Sequence, residues 1–215
     1  MTEFGYDPSR IGTSETAAQL LARVNRINFG DLGLHTTRPL HSGDLLALSA
    51  EDTRNQPWIF KLALSILCEH LMPTSCGGRE SSAHLIICAH TFPAFEFSDL
   101  LLAAIHEGAA EYGAPSDAAT VLGWHRAAMN RIVVTHCLSL TEVLALARQI
   151  SARDTSLVLL LGLDAISASH KTVRRHVAAV TALHQLHRSV ARTGGLLAFA
   201  AHRELLRSLI RLTLV

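Results

Sequence analysis

Five consecutive residues with wholly apolar side chains, Leu157-Val158-Leu159-Leu160-Leu161, constrain this chain more than any other feature. A run this short and this continuous reads as a strand buried on both faces, and such a strand needs cover on each side. His84-Leu85-Ile86-Ile87-Cys88-Ala89 and Leu196-Leu197-Ala198-Phe199-Ala200 repeat the pattern. Arg131-Ile132-Val133-Val134-Thr135-His136 and Leu45-Leu46-Ala47-Leu48 give two more candidate strands. Segments at helical spacing alternate with them, so the expected class is α/β, a mainly parallel sheet flanked by helices.

The helical segments follow from their apolar stripes and their caps. Ser14 caps a first helix over Thr16–Val24, where Leu20, Leu21 and Val24 share a face. Ile59–Leu67 is a second. Ser98–Glu111 places Leu101, Leu102 and Ile105 together and ends at Gly113 and Pro115, after which the chain reads as looser. Ser139 caps Leu140–Ala152, with Val143, Leu144 and Ala147 inward, and Lys171–Arg192 is a long helix. Gly5, Pro8 and Gly12 make residues 1–13 an arm, which leaves 14–215 as one domain.

The chain has 215 residues, 49% hydrophobic, 17% charged and 5% aromatic, enough for one substantial core rich in Leu, Ala and Val. A formal net charge of +1 makes no global case for nucleic-acid binding. Cys68, Cys76, Cys88 and Cys137 contain no C-x-x-C pair, so a zinc signature and a small disulfide framework are not expected, and a reducing compartment is. The N-terminus lacks the layout of a secretory signal, and no apolar run approaches the roughly 18 residues of a membrane span. These points predict an intracellular protein with no membrane partner.

Between the strand Leu45–Leu48 and the helix Ile59–Leu67, a nucleotide-binding core would carry G-x-x-x-x-G-K-[ST]. Its glycines admit the phosphates, its lysine meets the β/γ-phosphates and its hydroxyl holds magnesium. The window here is Ala50-Glu51-Asp52-Thr53-Arg54-Asn55-Gln56-Pro57, which differs at every diagnostic position. Glu51 and Asp52 also put negative charge where a triphosphate would sit.

In this order the segments resemble the RecA-type ATPase core, and more narrowly the short eukaryotic recombinase paralogs of the X-ray-repair cross-complementing group. The resemblance runs through Glu15–Arg23, His41–Leu48, Ile66–Pro73 and Leu157–Ala168, over about residues 14–203. It implies a RecA-like P-loop core with a degenerate Walker A. Ala50, Asn55, Gln56 and Pro57 would be the vestigial nucleotide site, with Gln56 at the lysine position and Pro57 at the hydroxyl position. Asp164 would hold the Walker B position before a Ser-rich turn, serving either a residual nucleotide, the turn or an interface. Ala89-His90-Thr91 lacks the acidic residue that activates water in catalytic members, and Arg203 or His202 falls near the polar sensor. The chain stops at Val215, so the family's DNA-facing apparatus is expected to be shortened.

The implied function is that of a non-catalytic mediator in homologous-recombination DNA repair. It would be a pseudo-ATPase that pairs with a second recombinase paralog as a heterodimer and acts on recombinase filaments in the nucleus. Single-stranded DNA would be reached through the complex, and no cofactor is expected in this chain, ATP belonging to the partner subunit. Phe4, Trp58, Phe95 and Phe97 are the candidate partner contacts, because aromatics anchor interfaces. Lys171, Arg174 and Arg175 are the candidate DNA contacts, with Arg188 and Arg192 on the same segment, although an ordinary solvated helix is the favoured reading of this cluster.

His176, His184 and His187 have helical spacing but no H-E-x-x-H pattern, which favours a solvated face over a metal site. Cys88 and Cys137 read as buried thiols. Two alternatives stay open: a subunit that binds nucleotide without hydrolysing it, and a small α/β enzyme using His90, His136, Asp164 and His202 at its strand ends.

Overall fold

The structure is a computed structural model and describes residues 43–48, 56–88, 92–150, 156–168 and 173–200; at 56–59, 164, 167–168 and 173–176 only the backbone is described. The arm and the helix expected over Thr16–Val24 lie outside these residues.

Five strands form one sheet: β1 (Leu45–Leu48), β2 (Ala83–Ile87), β3 (Ile132–His136), β4 (Leu157–Leu161) and β5 (Leu196–Ala200). Their order is β1-β5-β4-β2-β3, and every pairing is parallel. The α/β class therefore holds, with a sheet that is parallel at each of its four pairings. The helices are α1 (Gln56–Leu71), α2 (Ala94–Tyr112), α3 (Ala118–Asn130), α4 (Leu140–Ile150), α5 (Leu163–Ala168) and α6 (Val173–Arg192).

Alternation along the strands divides the interior in two. Leu157, Leu159 and Leu161 join Leu85, Ile87 and Ala198 under α1, α2 and α3. Val158 and Leu160 point the other way, with Ile86, Leu197 and Phe199, into the layer of α4, α5 and α6. Successive side chains on a strand alternate between faces, so one apolar run feeds both cores.

Several elements differ from their sequence-based expectation. The segment after Gly113 is not loose: Asp117 accepts a hydrogen bond from the Thr120 N–H at 3.0 Å and starts α3. α2 begins at Ala94, four residues before Ser98, and ends as expected, with Gly113 at φ 66° donating its N–H to the Ala109 carbonyl. The Ser-rich turn after β4 is instead α5. Gly162, at φ 75°, turns the chain directly from strand to helix.

Candidate functional site

In open parallel sheets, ligands sit beyond the carboxyl ends of the strands, where neighbouring connections leave in opposite directions. β2 and β4 are such neighbours. β2 continues into α2 and α3 on the first face, and β4 into α5 and α6 on the second. The described residues at this crevice are Cys88, Gly162 and Leu163, with Cys137 one strand further out. The Cys88 N–H donates to the Leu161 carbonyl at 2.8 Å, and the Cys137 N–H to the Ile87 carbonyl at 2.9 Å, so the ladder extends one residue past each strand.

The local chemistry disfavours a nucleophile here. Burial pushes the Cys88 thiol up to about 12, with smaller contributions from Cys137 and Glu142, and burial beside Glu142 also raises Cys137. Glu142 itself is structural. Its Oε2 accepts the Leu138 N–H at 2.7 Å while Ser139 Oγ accepts the Glu142 N–H at 3.3 Å, a reciprocal cap on α4.

The residues singled out from the sequence scatter over the fold. Gln56 and Pro57 are the first two residues of α1, a position that tolerates proline because the N–H it lacks has no helical partner. Ala50 and Asn55 lie outside the described residues. Asp164 is the second residue of α5 rather than the last of a strand. Arg174 and Arg175 open α6, and Lys171 lies outside the described residues. His136 ends β3 and is exposed, whereas His90 and His202 lie outside the described residues, so the proposed set of strand-end bases is not assembled among them.

The aromatic candidates separate sharply. Phe95 is 89% exposed on the first turn of α2. Phe97 is fully buried, its ring centroid 5.4 Å from that of Phe92, and the expectation that it meets a partner is corrected: it is a core residue. Trp58 falls within α1 and Phe4 lies outside the described residues. His187 is also corrected from a solvated position. It is half-buried, and its Nε2 donates to the Gly43 carbonyl at 2.8 Å, tying α6 to the turn before β1. Among the described residues no group of three or more His, Cys, Asp or Glu side chains is placed to hold a metal, and no helix is long and apolar enough to cross a membrane.

Two features escaped the sequence. The first is a groove of about 710 Å³ between α1 and α2, lined by Ser65, Glu69, Met72, Leu100, Glu107 and Tyr112 among others. It lies toward the amino ends of the strands, away from the crevice. Its floor is tightly tied, for the last three carbonyls of α1 and that of Met72 just after it are all used. Those of Glu69, His70 and Met72 accept the N–H groups of Arg79, Ser81 and Glu80, and that of Leu71 accepts Arg131 Nη2 at 2.7 Å. Arg131 and Arg79 also meet Glu80 and Glu69, each at 3.6 Å.

The second is the outer edge of the sheet. Among the described residues β3 pairs with β2 alone, and Val133 (42%), Val134 (38%) and the following Leu138 (79%) are exposed. No sequence signal marks it, because Ile132-Val133-Val134 reads like the buried strands. No family model and no curated protein matches this chain.

Proposed function

We propose that this chain is a non-catalytic recombinase paralog with a RecA-like core, which pairs with a second paralog and acts through it on recombinase–single-stranded-DNA filaments in homologous-recombination repair. The observation that carries the pairing is the apolar edge at β3. A strand that among the described residues is paired on one side only, and that carries exposed valines, is a ready template for a partner's backbone, and in a soluble monomer such an edge is usually blunted by charge or proline. The absence of catalysis rests on the sequence of the first loop and helix: Gln56 and Pro57 replace the lysine and hydroxyl that hold a magnesium nucleotide. ATP turnover in the complex then belongs to the partner's P-loop.

The test is co-expression with a P-loop-bearing recombinase paralog, comparing the wild type with a Val133→Lys/Val134→Lys variant. A stoichiometric complex that the variant loses, with ATP turnover abolished by changing only the partner's P-loop lysine, is the expected result. A wild-type chain that binds neither paralog nor recombinase overturns the proposal.

A further inference from the structure

The second core contains a pair of cysteines whose placement has a chemical consequence. The registered pair Ile87–His136 is followed on both sides by cysteine, Cys88 one residue past β2 and Cys137 one residue past β3. The Cys137 N–H bond to the Ile87 carbonyl keeps the two strands together at this step. Facing residues on neighbouring strands have backbones about 4.8 Å apart, inside the roughly 4.4–6.8 Å window of Cα separations that a disulfide spans. Both side chains turn to the same face, among Ile86, Val143 and Ala147. Both are free thiols.

We infer that Cys88 and Cys137 form a dithiol that closes to a reversible disulfide across β2 and β3, with a low-molecular-weight disulfide as the oxidant. At rest the pair is silent. The side chains are 2% and 1% exposed, and buried, protonated thiols are poor nucleophiles. Access comes through β3, which among the described residues is paired on one side only, and through the exposed Leu138 that follows Cys137. Cys137 is therefore the thiol the oxidant reaches first.

The exchange balances. The Cys137 thiolate attacks one sulfur of the oxidant, RSSR, forming a mixed disulfide and releasing one thiolate, RS⁻. The Cys88 thiolate then attacks Cys137 Sγ and expels the second. The protein loses two protons and two electrons, and the oxidant leaves as two thiols. The product fastens the carboxyl end of the edge strand to its neighbour, at the switch-point end of the sheet. The inference does not depend on the proposed function, since it rests on strand register alone.

The test is incubation of the folded full-length chain with oxidised glutathione, followed by alkylation and non-reducing peptide mapping. The expected product joins the Cys88 and Cys137 peptides with loss of two hydrogens, reverts with dithiothreitol, and leaves Cys68 and Cys76 alkylated. The Cys88→Ser variant, its fold checked by circular dichroism, is expected to accumulate a glutathione mixed disulfide on Cys137. Four free thiols in the wild type, a mixed disulfide that persists there without closing, or a cross-link to Cys68 or Cys76 would each overturn the inference. The wild-type map decides even if the variant fails to fold.

Discussion

β3 and β4 are both five-residue parallel strands, and both are largely apolar. All five residues of β4 are buried, whereas β3 keeps none of its residues fully buried. The difference lies in their neighbours: β4 sits between β2 and β5 with helices on both faces, and among the described residues β3 closes one edge of the sheet. The same residue types thus hold the core together in one place and offer an apolar surface in the other. Hydrophobic burial stabilises in proportion to the area removed from water, so Val133 and Val134, at 42% and 38% exposed, leave part of their stabilisation unrealised.

The largest effect that would sharpen this contrast is a deletion in β4. Leu159→Ala is expected to cost about 2–5 kcal/mol, because it leaves a cavity in a fully buried position. Urea unfolding monitored by circular dichroism measures it. If the loss matched that of an edge-valine substitution, the comparison would fail.

The first core also carries a pH signature that β3 does not. His70, at the end of α1, is 4% exposed, and burial together with Arg79 lowers its pKa from 6.5 to about 3. Between those values the unfolded chain binds a proton that the folded chain refuses. Stability is therefore complete above about pH 6.5 and falls by about 1.4 kcal/mol for each pH unit below it. Unfolding midpoints taken from pH 7.5 down to pH 5 are expected to show this slope, and His70→Leu to flatten it.

Packing beneath the groove gives an effect of similar or smaller size. A Cβ at position 108 would lie 2.3 Å from the Cys76 carbonyl oxygen, so Gly108→Ala is expected to cost about 1–3 kcal/mol by forcing α2 away from the 3-10 turn Thr74–Cys76. At α4, Ser139→Ala removes one half of the reciprocal cap and is expected to cost about 1 kcal/mol in the same assay. The smallest change in stability is expected at the edge itself. Val134→Thr should shift unfolding by less than about 0.5 kcal/mol, as exposed substitutions do, while weakening the proposed pairing with a second paralog. A stability loss as large as that of Leu159→Ala would make β3 a core strand and remove its claim as a docking edge.

How far the site could be read in advance depended on the kind of residue. The five strands and the cap at Ser139 were legible because continuous apolar runs and helix-capping side chains act locally. α3 was missed because Leu122, Gly123 and Trp124 interrupt its polar face and blur the helical period; Asp117, three residues before Thr120, was the available signal. Phe95 and Phe97 are two residues apart, and composition treats them alike. On a helix that spacing turns them to different sides, one into solvent and the other onto Phe92. His187 was likewise unreadable, because its acceptor, the Gly43 carbonyl, lies 144 residues away in the chain.

The sequence by itself determined the class of this protein: five apolar strands alternating with helices, and a window at 50–57 without the glycines and lysine of a phosphate loop. Those properties depend on the residue types and on their spacing along a few turns or one strand. Only the tertiary structure decided which of the described strands lies at the edge, that Cys88 and Cys137 share one core, and that Phe97 belongs to the other. Strand order is set by long-range pairing, and no local pattern records which of several similar apolar runs will find a neighbour on both sides.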